Sequence, residues 1–121
     1  MQNSNQVNPK RYNLEERTYT FAKNIRNFIK SINKKFENFD DYKQLLRSSG
    51  SIGANYIEAN ESLSKKDFVM RIKISRKEAK ETIYWLKLID GDTELKELQT
   101  RLTNEATELM KIFGSIITKS Q

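Results

Sequence analysis

Two sets of cationic side chains are the residues of this chain whose types and spacing could do chemistry. Lys23, Arg26, Lys30 and Lys34 recur at intervals of three and four, and Lys66, Lys73, Lys77 and Lys80 at intervals of seven, four and three. On a helix such spacing lines charges along one outer face. Tyr19 falls beside the first set and Tyr84 beside the second. Cations in a row can neutralise phosphates and a tyrosine can stack on a base, so the chemistry is nucleic-acid binding. The plainer reading is a helix surface charged for solubility. A formal net charge of +6 favours attraction to polyanions without naming one.

Other reactive side chains support less. Glu105 falls on an apolar helical seam, and Glu58, Glu78 and Glu81 can approach the sides of a bundle. The chain has no histidine, so the Glu-x-x-His element of a di-iron site cannot be built. Glu105 is expected to be a partly buried structural acid, paired with Arg47 or another cation, or bonded to Ser49 or Tyr56. Ser48, Ser49 and Ser51 lack a histidine base and a Gly-x-Ser-x-Gly turn, and Gly50 and Gly53 lack the Gly-Lys-Ser/Thr of a phosphate loop. Those small residues read as a packing device. A glycine inside a helix costs roughly 1 kcal/mol relative to alanine, so two of them three apart imply a close neighbour.

The 121 residues suffice for one domain with one core. Cysteine is absent as well, which removes disulfides and, with the missing histidine, the usual zinc ligands. No metal and no cofactor is expected, and no catalytic residues are identified. No window reaches the roughly 18 apolar residues of a membrane span, and the polar start lacks a signal-peptide core, so a cytoplasmic protein is expected. Residues 1–12, rich in Asn and Gln, read as a disordered tail, and 13–118 as the folded domain.

Four segments place these residues. Each shows a hydrophobic period near 3.5, and none alternates as a strand would. Helix one follows Leu14, Thr18, Phe21, Ile25, Phe28 and Ile32, with Asn13 as N-cap. Helix two follows Tyr42, Leu45, Ser49, Ile52, Tyr56 and Asn60. Helix three follows Phe68, Ile72, Ser75, Ala79, Thr82, Leu86 and Ile89, capped by Ser64 with Asp67 in the capping-box position and closed by Gly91. Helix four follows Leu95, Leu98, Leu102, Glu105, Leu109, Ile112 and Ile116, capped by Asp92 or Thr93. The joints, about 33–39, 62–64 and 90–92, are short. The expected fold is therefore all-α, an antiparallel up-down-up-down four-helix bundle.

Charge divides unevenly among the segments. Residues 1–39 and 65–87 each hold eight Lys or Arg against three acids, whereas 40–64 and 88–121 each net minus two. Helices one and three carry the surplus, yet this topology puts them at diagonal corners. One monomer would then lack a single continuous basic patch, and an oligomer could combine stripes from different subunits. Helix three has a second apolar stripe as well. With Ala79 inward, Met70, Ile74, Trp85 and Leu88 point away from the core, which marks an oligomer interface. Met110, Phe113 and Ile117 on helix four and Leu46 and Ile57 on helix two lie beside the main seams.

The run Arg47 to Phe68, with Ser51-Ile52-Gly53-Ala54-Asn55, then Ile57-Glu58-Ala59-Asn60 and the Ser64-Lys65-Lys66-Asp67-Phe68 helix start, resembles the four helix bundle protein family, also called the 23S rRNA intervening sequence protein or S23-type family. The resemblance covers roughly residues 14–118, including Asn104-Glu105-Ala106 and Ile116-Ile117 in the last helix. It departs from the common pattern at Gly53, where many members have proline, and over Tyr56 to Ala59, where Ile-Ala-Glu-Gly is more common. The resemblance implies a small, cytoplasmic bacterial bundle forming a pentameric ring, a homopentamer, without established catalytic residues. Some members are encoded inside intervening sequences of 23S rRNA genes. Related accessory proteins of diversity-generating retroelements bind nucleic acid and a reverse transcriptase. The expectation is a non-enzymatic homo-oligomer that binds RNA or DNA through its basic outer faces. The alternative is a protein-interaction scaffold.

Overall fold

The computed structural model describes residues 9–32, 38–89 and 93–121. Four helices follow in order: α1 (Pro9–Ser31), α2 (Phe39–Asn60), α3 (Lys65–Leu88) and α4 (Lys96–Lys119), the last preceded by a 3-10 turn at Thr93–Leu95. Cross-helix contacts run in opposite senses along each neighbouring pair. Ser48 meets Thr82 while Ser75 meets Ile52 on α2 and α3, and Arg76 lies beside Gly114 while Gln99 bonds Leu86 on α3 and α4. The bundle is therefore antiparallel. α1 packs on α2 and α4 but not on α3, so α1 and α3 are diagonal.

The periodic residues form the core. Leu14, Thr18, Phe21, Ile25 and Phe28 of α1 and Ile32 just past its end are all buried, as are Tyr42, Leu45, Ser49, Ile52 and Tyr56 of α2. α3 buries Ile72, Ser75, Ala79, Thr82 and Leu86, and Ile89 follows at its C-cap. Each fully buried Phe, Ile or Leu contributes about 1.5–3 kcal/mol of transfer free energy, which outweighs the weak helix propensity of the small-residue run. α4 is turned from its expected register. Leu102, Ala106, Leu109, Phe113 and Ile117 are buried, while Leu98, Ile112 and Ile116 are only partly so. Two apolar stripes lie one residue apart on this helix, and the one without Glu105 takes the centre.

Helix ends follow the cap rules at one of three places. Ser64 caps α3, its hydroxyl accepting from the Asp67 N–H at 3.1 Å. Asn13 does not cap α1, because the helix already begins at Pro9, a residue that suits a first turn with no N–H to satisfy. Of the expected tail, residues 1–8 lie outside the described residues. Thr93 does not cap α4 either. The 3-10 turn carries the chain into the helix, and Leu95 occupies the cap position without a side-chain bond. Gly91 and Asp92 lie outside the described residues.

At Gly53, α2 packs directly against α1. A Cβ there would stand 2.8 Å from Thr18 Oγ1 and 3.1 Å from Thr18 Cβ. Thr18 is fully packed and its hydroxyl is tied to the Glu15 carbonyl at 3.0 Å, so it has little room to yield. Gly50 serves more loosely, with the Arg26 guanidinium 3.3 Å from its missing Cβ.

Candidate nucleic-acid interface

α3 opens at the Ser64 cap and runs unbroken for 24 residues, which sets Lys66, Lys73, Lys77, Lys80 and Tyr84 along one outward line. All five are exposed. Lys87 continues the line and is exposed too. Arg76 lies between this line and α4, its Nε 3.9 Å from the position a Cβ on Gly114 would take. On α4 the residues at matching helical spacing are Lys96, Thr100, Thr103, Thr107, Lys111, Gly114 and Thr118. Lys87, Lys96, Thr100 and Thr103 line one cleft between the two helices, which places the α4 stripe on the α3 side.

No acid interrupts either stripe. The described acids of α4, Glu97, Glu105 and Glu108, fall on other faces, and none of the described ion pairs involves a cation of these stripes. The two helices thus present a face without acids, with lysines along α3 on either side of exposed Met70 and, on α4, Lys96 and Lys111 separated by threonines. Thr103 and Thr107 donate their hydroxyl protons back to Gln99 and Thr103 carbonyls at 2.9 Å. Segment charges hide Lys96 and Lys111, because residues 88–121 net minus two, whereas Arg76 and Lys87 belong to the cationic 65–87 segment and lie at the edge of its lysine line. A helical wheel of α4 alone sets Lys96 and Lys111 apart from Glu105.

Lys23, Arg26 and Lys30 are exposed on α1, on the diagonal side of the bundle. Arg26 is the most constrained of them, donating to the Ala22 carbonyl at 3.1 Å and lying over Gly50. Lys34 lies outside the described residues. The two sets of cations are not brought together in one chain.

The acids have structural partners. Glu105 is bound by Arg17, Nε to Oε2 at 2.7 Å and Nη2 to Oε1 at 2.9 Å, a bidentate pair across α1 and α4. The Glu105 hydrogen bonds hold the Arg17 guanidinium above its usual arginine range. Its folded value is raised, so loss of the guanidinium charge removes the attraction only above that range. Arg47, one expected partner of Glu105, instead bridges Glu81 and the buried Glu78, the latter at 3.4 Å. Among the described residues no three acidic side chains gather as metal ligands would. Ser48 and Ser49 are buried, Ser48 sharing a hydrogen bond with the Thr82 hydroxyl at 2.9 Å and Ser49 donating to the Leu46 carbonyl at 3.2 Å.

Of the expected interface residues, Met70 and Leu88 are exposed, whereas Ile74 and Trp85 are half-buried. Trp85 packs against the core cluster with Tyr84 edge-on at 5.1 Å, and its indole N–H has no partner. Met70 and Ile74 share a cleft with Leu63, Glu58, Glu61 and Asp67. No described helix is long and apolar enough to cross a membrane.

Comparison with known proteins agrees with this architecture. The chain is similar to a crystal structure described as a protein with unknown function from the S23 ribosomal protein family of Bacteroides thetaiotaomicron VPI-5482. Identity is 36%, with 90% of this chain and 98% of that one covered and a TM-score of 0.77. No curated protein matches. The family model described as 23S rRNA-intervening sequence protein matches residues 10–115, nearly the whole bundle, and the chain belongs to that family.

Proposed function

We propose that this protein is a non-enzymatic, cytoplasmic bacterial bundle that assembles as a homo-oligomer and binds RNA or another nucleic acid through its basic outer faces. The observation that carries the reading is the acid-free face of α3 and α4, whose exposed lysines have no acidic partner among the described residues. Unpaired cations on a rigid face neutralise phosphates and release counterions, which gives affinity with a steep salt dependence. The exposed stripe of α1 adds a second basic face on the far side. The test is titration of purified protein against labelled ribosomal RNA fragments and a DNA duplex of the same length at two salt concentrations, with mass recorded by light scattering. Binding that weakens steeply with salt is expected, from a particle several times the 14.3 kDa chain mass. Absence of binding at low salt would sink the nucleic-acid reading.

A second reading, a protein-interaction scaffold, is favoured by the apolar groups left in water beside α2 and α3. Leu63 is 98% exposed, Met70 55% and Leu88 46%. Under it, Met70→Ser with Leu88→Ser disrupts assembly or partner capture, and lysine changes on α3 leave both intact.

A further inference from the structure

We infer that the α3–α4 face binds the backbone of a double helix, RNA or DNA, by lying across a groove with one cationic stripe on each phosphate ridge. This rests on the nucleic-acid reading above and specifies which face acts and which form of the polymer it takes.

Three features carry it. The first is shape: the α3 stripe runs straight from Lys66 to Lys87, about 32 Å at 1.5 Å per residue, close to the ~34 Å of one duplex turn. The second is width. Two helices packed side by side have axes ~8–10 Å apart and present a face broader than the ~12 Å major groove, so they cannot enter it as a single recognition helix does. Such a face rests on the ridges flanking the groove, with α3 cations on one side and Lys96, Lys111 and Arg76 towards the other.

The third feature is the shortage of stacking groups. Proteins that hold single strands combine cations with aromatic platforms for successive bases. Tyr84 is the one aromatic side chain among the described residues of these two stripes, and its ring is already engaged edge-on with Trp85. A single engaged tyrosine cannot order a run of unstacked bases, whereas paired strands need none. Without side chains reaching base edges, the binding is independent of sequence.

The experiment uses the full-length chain with labelled 24-base-pair RNA and DNA duplexes and a 24-nucleotide unpaired pyrimidine strand, at 50 and 200 mM salt. The expected result is at least tenfold tighter binding to one or both duplexes than to the single strand. The triple variant Lys73→Gln, Lys77→Gln, Lys111→Gln should lower the slope of log affinity against log salt by about 2 to 3, since each neutralised phosphate contributes ~0.9. A control with the same charge loss elsewhere, Lys43→Gln, Arg101→Gln, Lys119→Gln, should lower it by less than about 1. Circular dichroism melts verify that these exposed changes leave the fold intact. Preference for the single strand, or equal slope losses in the two triple variants, would overturn the inference while leaving nucleic-acid binding standing. No binding to any probe at 50 mM salt would overturn both.

Discussion

The α2–α3 and α1–α4 seams join the same kind of element in different ways. Along α2–α3 the helices mesh through small polar side chains in a dry interior. Thr82 bridges to Ser48 at 2.9 Å and to the Glu78 carbonyl at 2.8 Å, and Ser75 donates to the Ile52 carbonyl at 2.9 Å. All three side chains are fully buried. The α1 and α4 helices pack together more sparsely, with the Arg17–Glu105 pair across their seam and clefts of about 520 and 350 Å³ on its flanks, against one of about 480 Å³ where α2 turns into α3. Its two charged side chains keep 31% of their surface in water. One seam is held by shape and satisfied polar groups, the other by a charged clasp. α1 therefore depends on α2 for its anchorage, at Gly53.

The largest effect is expected from breaking the tight seam. Ser75→Leu inserts three carbons where none fit and removes the bond to Ile52, so a loss of about 3 kcal/mol or more in denaturant unfolding is expected. Gly53→Ala should cost about 1–3 kcal/mol through the clash with Thr18, and Thr18→Ala in the same chain should recover part of it. A double-mutant cycle without coupling would remove Gly53 as the anchor. Arg17→Gln is expected to cost less than about 1 kcal/mol, since the clasp is partly solvated and screened by salt. The finest test is hydrogen exchange: α1 amides should open at lower free energy than those of α2 and α3. Uniform protection would erase the distinction between the seams.

Much of this architecture is legible in the sequence, because four apolar periods separated by short joints leave few ways to bury every stripe. Gly53 declares a close approach through its cost to the helix, and Ser64 with Asp67 declares the start of α3. Other features are hidden for physical reasons. Leu98, Ile112 and Ile116 compete with Phe113 and Ile117 for the centre of α4, and hydropathy alone does not rank two adjacent stripes. The partnership of Arg17 with Glu105 spans 88 residues, so no local spacing announces it. The α4 half of the cationic face is masked by averaging, since Glu97, Glu105 and Glu108, which lie off the threonine line, cancel Lys96 and Lys111 in any segment sum. Charge counted by segment measures attraction at a distance; charge counted by face measures what a ligand meets.

Trp85 lies on the same side of α3 as Glu78 and Glu81, half-buried, and it is the chain's only tryptophan. Its emission is therefore an optical gauge fixed to the tight seam and blind to the loose one. A melt followed by fluorescence will report when α2 and α3 part, and will lag any signal taken from α1. Where the two curves separate, the distance between them measures how far this bundle loosens while its intrinsic probe still reads native.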